Sequence, residues 1–135
     1  MTKKTQKSEK GSPAFNFRTI KSYEDACKKQ NHDPLKVPDI SMIPGDLGKK
    51  LVAVFKIMMF YAAINNGWLP DYSNLSQAKY YPWPWVLSSG FGFSGSDYRY
   101  GYAFTHVGSP LCTDTSEKAL YAFEQCKDLY QEWLL

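Results

Sequence analysis

Cys112 stands six residues after His106, and a thiol beside an imidazole is the minimum equipment for nucleophilic catalysis. The base must take the thiol proton, and a third group must orient the base. No glycine-rich elbow accompanies the pair. Val107-Gly108-Ser109 is the nearest approach to an oxyanion turn. A small apolar cysteine in a core explains Cys112 at least as well, and Cys126 falls on the apolar face of a helix, where a core role is expected. Three cysteines without a C-x-x-C pair, with only His32 and His106 beside them, fit neither a disulfide framework nor a zinc set. Asp71, Asp97 and Asp114 occupy turn or cap positions, where aspartate bonds its own backbone. There is no phosphate loop, dinucleotide fingerprint or H-E-x-x-H. The expectation is a non-enzymatic protein without metal or cofactor.

A second kind of chemistry is stacking. Between Lys79 and Phe104 lie ten aromatic residues: Tyr80, Tyr81, Trp83, Trp85, Phe91, Phe93, Tyr98, Tyr100, Tyr102 and Phe104. Gly90-Phe91-Gly92-Phe93 followed by Tyr98 has the flavour of an RNA-recognition strand, whose exposed rings stack on bases at about 1–3 kcal/mol each. The match is partial, because Ser89 stands where that motif has a basic residue and the order of elements does not fit its fold. In a strand, residues two apart share a face. Phe91 and Phe93 then form one row, and Tyr98, Tyr100, Tyr102 and Phe104 another. One row can fill a core while the other faces outward. The candidate contacts for single-stranded nucleic acid are Lys79, Tyr80, Trp83, Trp85, Tyr98, Arg99, Tyr100 and Tyr102. Tyrosine, tryptophan and arginine also dominate protein-binding hot spots, so Trp83, Trp85, Tyr100 and Trp133 serve a protein partner equally well. Carbohydrate stacking on the same rings stays open.

Charge is unevenly spread. The formal net charge of +3 conceals a basic front half, with Lys3, Lys4, Lys7 and Lys10 in the first ten residues, and a mildly acidic back half. Basic tails attract nucleic acid or acidic protein surfaces, and they also occur simply as solubilising ends. Residues 1–15 are too polar to repay ordering and read as a disordered tail. Met1 to Pro13 has no apolar stretch of the signal-peptide kind. The longest apolar run, Ile57 to Ile64, is eight residues, against about 18 for a membrane span. With the unpaired cysteines, this gives an expected reducing, cytoplasmic setting.

These residues need a scaffold. Ser22 caps a short helix, with Asp25 three residues on as an approximate capping box. Pro34, Pro38 and Pro44 make Asn31 to Pro44 a loop. The main helix is expected from Leu47 to Asn65, capped by Asp46 and ended by Asn66-Gly67. It is apolar nearly all round and so expected to be covered on two sides. Pro70-Asp71 centres a turn. Strands are expected over Tyr80–Leu87, Gly90–Phe93, Tyr98–Thr105 and Ser109–Thr113, joined by Ser88-Ser89-Gly90 and Ser94-Gly95-Ser96-Asp97. Pro82 and Pro84 confine the first to an edge. A last helix begins at Asp114 or Thr115 and carries Ala119, Ala122, Phe123, Cys126, Leu129, Tyr130 and Trp133 on one face. The predicted class is a single α+β domain over residues 16–135, a short antiparallel aromatic-rich sheet packed in two layers against two or three helices.

Several blocks are distinctive: Gly67-Trp68-Leu69-Pro70-Asp71-Tyr72-Ser73-Asn74, Lys79-Tyr80-Tyr81-Pro82-Trp83, Val107-Gly108-Ser109-Pro110-Leu111-Cys112, Asp128-Leu129-Tyr130 before Leu134-Leu135, and Glu24-Asp25-Ala26-Cys27. In these the chain, from about Ile20 onward, resembles a family of small uncharacterised proteins from phages and prophages of gut Bacteroides-type bacteria. Pro110 departs from that pattern, where an arginine is usual, and Thr113-Asp114 replaces an aromatic–basic pair. The resemblance implies a mobile-element origin and brings no activity and no catalytic residues. Together these readings point to a small binding module, with single-stranded nucleic acid as the first partner expected. The alternative is a protein-binding accessory, either an inhibitor of a host system or a minor virion component.

Overall fold

The computed structural model describes residues 14–83, 99–102 and 111–135. The expected 1–15 tail up to residue 13, the segment holding Trp85, Phe91, Phe93 and Tyr98, and that holding Phe104 and His106 lie outside the described residues, as do the two expected hairpin loops. A 3-10 turn, Phe17–Thr19, is followed by helices α1 (Tyr23–Lys29) and α2 (Asp46–Asn65). Strands β1 (Tyr80–Trp83) and β2 (Arg99–Tyr102) come next, then helices α3 (Ser116–Gln125) and α4 (Lys127–Leu134).

Local chemistry sets the helix ends. The Ser22 hydroxyl accepts the Asp25 N–H at 3.1 Å, and the Asp25 carboxylate reaches back to accept the Lys21 N–H at 2.9 Å, so two otherwise orphaned donors are satisfied. The cap of α2 is Gly45, not Asp46. Gly45 has φ 57° and ψ −141°, a region open almost only to glycine, and Asp46 instead places its charge in the first turn, where the helix dipole favours it. At the far end Asn66 turns left-handed, with φ 46°, and stops the helix. The single C-terminal helix expected from the sequence is interrupted. Cys126, at φ −104° and ψ 16°, leaves helical geometry for one residue, and the chain resumes as α4.

The two-layer α+β expectation is contradicted. The described residues are mostly helical, α2 packs on α1 and α4, and only α3 lies against the two-stranded ribbon. β1 and β2 form a short antiparallel ribbon with Tyr80 opposite Tyr102, Tyr81 opposite Gly101, Pro82 opposite Tyr100 and Trp83 opposite Arg99. The fourth expected strand contributes one bridge, from Thr113 to Tyr80. The physical reason lies in α2. Its Ala53, Ile57, Phe60, Tyr61 and Ile64 are buried, and this helix is long enough to take α1 on one side and α4 on another. The core closes with Ile20, Ala26, Leu111, Ala122, Phe123, Cys126 and Tyr130, and the ribbon sits beside α3. The apolar surface of α2 is only partly used in this packing, since Leu47, Leu51 and Met58 stay exposed.

At the heart of the core the hydroxyls of Tyr61 and Tyr130 lie 2.7 Å apart. Burial, the largest cause for both, holds them protonated well above 10.0, the ordinary value. The unfolded chain ionises these groups near pH 10.0 and the folded one does not, so the stability they contribute is whole below that pH and declines above it. Helical circular dichroism is therefore expected to fall as pH rises beyond about 10, together with the appearance of tyrosinate absorbance. Full ionisation of all tyrosines with the helices intact would contradict this packing.

Candidate functional site

Two places gather polar chemistry. The first is the base of the ribbon. Asp71 opens a tight turn in which its carboxylate accepts the Ser73 N–H at 3.0 Å and the Ser73 hydroxyl at 2.6 Å. These bonds to Ser73 hold the Asp71 carboxyl below its usual range. The Asn74 side chain makes the same kind of turn with the Ser76 N–H at 2.9 Å. The two turns aim carbonyls inward, and Lys79 fills the space. Its Nζ donates to the Gln77 carbonyl at 3.0 Å and the Asn74 carbonyl at 3.3 Å, and it lies 5.6 Å from the Tyr72 ring centre. Lys79 is only 2% exposed. The sequence placed it among surface contacts, but its ammonium is turned into the protein, where buried charge persists only when hydrogen-bonded.

Tyr80, next in the chain, is half-buried. Its N–H donates to the Thr113 carbonyl at 2.9 Å, and its own carbonyl accepts the Thr113 N–H at 2.7 Å. Since both backbone groups of Tyr80 point to Thr113, those of Tyr81 point the other way, towards β2. Pro82, two on from Tyr80, directs its missing N–H away from β2, which is how a proline fits in the strand. The register brings Trp83 level with Arg99 and Tyr80 level with Tyr102, with Tyr100 opposite Pro82. Of the eight sequence-proposed contacts, Tyr80, Trp83, Arg99, Tyr100 and Tyr102 are thus gathered on one ribbon. Trp85 and Tyr98 lie outside the described residues.

Behind the ribbon sits Cys112, fully buried. Its carbonyl accepts the Asn65 side-chain N–H at 2.9 Å, and the Tyr72 hydroxyl lies 3.9 Å from its sulfur. Burial pushes the thiol above its ordinary value, against smaller opposing effects of the Tyr72 hydrogen bond and the Lys79 charge. Burial likewise takes Tyr72 to about 12. Burial thus favours the protonated form of both groups, and His106, the base the sequence offered to Cys112, lies outside the described residues. The sequence could not find this grouping, because Asn65, Tyr72 and Cys112 come from distant parts of the chain.

The second place was missed altogether. A groove of about 450 Å³ is lined by Phe15, Thr19, Ile20, Asp25, Lys28 and Lys29. Phe15 is 37% exposed, and the Lys29 ammonium stands 4.6 Å over its ring while donating to the Asn66 side-chain oxygen at 2.8 Å. Arg18 lies with its guanidinium 4.5 Å over the Phe17 ring. Arg18, Lys21, Lys28 and Lys29 are all exposed. The one signal for it in the sequence is the Lys28-Lys29 pair in the last turn of α1, where cations suit the helix dipole and so read as ordinary helix chemistry.

Among the described residues no group of three or more histidine, cysteine, aspartate or glutamate side chains is placed to hold a metal ion. No described helix is long and apolar enough to cross a membrane. No protein-family model matches the chain, and neither a curated protein nor a solved structure is found similar to it.

Proposed function

We propose that this chain is a small binding module of phage or mobile-element origin that holds single-stranded nucleic acid inside the bacterial host cell, without catalysing a reaction. The observation that carries the reading is the pair of exposed cations Lys28 and Lys29, which line a groove with the Phe15 ring and Asp25, with the exposed Arg18 and Lys21 close by in the chain. Those cations follow the lysine-rich residues 1–10 in the chain. Phosphate attraction supplies most of the affinity of such a binder and makes it salt-sensitive. Rings beside the cations supply base stacking without sequence preference. The aromatic ribbon, with Trp83, Tyr100 and Tyr102 on paired strands, is the proposed second stacking element. Lys79 takes no part in the reading, because its ammonium is occupied by backbone carbonyls.

Reversing two charges, Lys28→Glu with Lys29→Glu, is expected to weaken binding to a labelled single strand more than tenfold and to flatten its salt dependence. Tyr100→Ala or Trp83→Ala is expected to cost about 1–3 kcal/mol of binding. Unchanged affinity in the double charge reversal, with the helices intact, would overturn the reading. A protein-binding accessory is the second reading, favoured by the exposed Leu47, Leu51 and Met58 of α2.

A further inference from the structure

The groove beside α1 holds a carboxylate among its cations. Asp25, Lys28 and Lys29 line it together with Phe15, Thr19 and Ile20. Asp25 and Lys29 stand four residues apart on the helix, a spacing at which acid and base ordinarily pair. Here they are held apart. The Lys29 ammonium is given to the Asn66 side-chain oxygen at 2.8 Å and to the face of the Phe15 ring at 4.6 Å. The Asp25 carboxylate accepts the Lys21 N–H on Oδ2 at 2.9 Å. Among the described residues its other oxygen, Oδ1, has no partner, and the ion pair they contain is elsewhere, between Lys118 and Asp114. The exposed Lys28 ammonium is likewise unpaired among the described residues.

We propose that this groove reads guanine in a bound single strand, with Asp25 as the residue that selects the base. The inference rests on the nucleic-acid reading and adds a preference that stacking alone does not supply. An ionised carboxylate only accepts hydrogen bonds, and each of its oxygens can accept more than one. Guanine presents two adjacent donors on its Watson–Crick edge, N1–H and the N2 amino group, and a carboxylate takes both side by side. Cytosine and adenine set one amino group beside a ring nitrogen that is itself an acceptor. Thymine presents one donor between two carbonyl oxygens. Each of those three therefore turns at least one acceptor towards the carboxylate. In a single strand that edge is open to reading.

The rest of the lining suits the other parts of a nucleotide. Ile20 is buried and gives the groove an apolar floor. The exposed part of the Phe15 ring stacks on the base. Lys28 and Lys29 against Asp25 leave one net positive charge, the complement of one phosphodiester, and the long lysine stems carry their ammoniums past the sugar. A bare phosphate would be repelled by the carboxylate, so the lining favours a ligand that brings donors as well as an anion. At about 450 Å³ the groove falls within the range of small-molecule sites, roughly 300–1,000 Å³, and holds one nucleotide of the strand.

Fluorescence anisotropy of the full chain with three labelled single strands tests it. The first is a thymidine oligomer, the second carries isolated guanines, and the third carries inosine at the same positions, which keeps N1–H and lacks the N2 amino group. The guanine strand is expected to bind about tenfold more tightly than the all-thymine strand, with the inosine strand between them. Asp25→Asn keeps an oxygen for the Lys21 N–H and is expected to retain its helical circular dichroism. That variant is expected to bind the all-thymine strand at least as tightly as the unaltered chain does, and to lose the guanine preference. Equal affinity of the unaltered chain for all three strands would overturn the proposal and leave the nucleic-acid reading standing, and this comparison needs no variant to fold. A guanine preference undiminished in Asp25→Asn would take the selection away from Asp25 and overturn the proposal as well. Failure to bind any of the strands would overturn both.

Discussion

Phe123→Ala is expected to lower the unfolding free energy by about 3–5 kcal/mol, the cost of removing a large buried ring and leaving the space unfilled. Phe123 is fully buried, and its ring centre lies 5.2 Å from that of Tyr130, in the cluster where α2, α3 and α4 meet. Small domains hold only about 5–15 kcal/mol in total, so this one change consumes a large share. Urea unfolding followed by circular dichroism measures it, as a shift in midpoint at unchanged slope. A loss below about 1 kcal/mol would mean that Phe123 is not at the centre of the core. Leu51→Ala is the natural control, because Leu51 is 44% exposed and surface substitutions stay within about 0.5 kcal/mol.

Lys79→Met is expected to destabilise by about 1–3 kcal/mol while leaving nucleic-acid affinity and its salt dependence unchanged. Methionine keeps the aliphatic stem and removes the ammonium. The carbonyls of Asn74 and Gln77 then lose a charged donor at 3.3 and 3.0 Å, and the turns that set the start of β1 loosen. Thermal unfolding and oligonucleotide binding by the same variant separate structure from recognition. Unaltered stability with a clear drop in affinity would place the Lys79 ammonium on the ligand side and contradict its description as an internal prop.

What was legible in the sequence was what short-range chemistry decides. Ser22 announces α1 because its hydroxyl needs only the next three residues. Asn66-Gly67 announces the end of α2 because those two residues tolerate left-handed backbone. The expected single last helix was nearly right, since its apolar periodicity runs through Cys126 even though helical geometry does not. The sheet was over-read. A dense aromatic run has the composition of strands, but strand pairing depends on partners far along the chain, and the described ribbon is four residues long on each side. Nothing in the all-round apolar character of α2 tells which side is covered, and Leu47, Leu51 and Met58 are exposed.

The candidate site divides in the same way. The pairing of Trp83 with Arg99 and of Tyr80 with Tyr102 was not legible, because the expected loops joined consecutive strands whereas β1 pairs with the segment expected as the third strand. Lys79 among tyrosines and tryptophans looked like a surface cation, and only the convergence of the Asp71 and Asn74 turns on it explains its burial. The Cys112 thiol reads from the sequence as either nucleophile or core. The structure shows the thiol buried, and burial raises its pKa, while His106 lies outside the described residues.

The most direct test is fluorescence anisotropy of the full chain with labelled single-stranded and duplex oligonucleotides, at low and at moderate salt. Micromolar or tighter binding that prefers single strands, with log affinity falling by about 0.7 per phosphate contact for each tenfold rise in salt, is the predicted result. No binding to either probe at low salt would contradict the nucleic-acid reading and leave the protein-binding one.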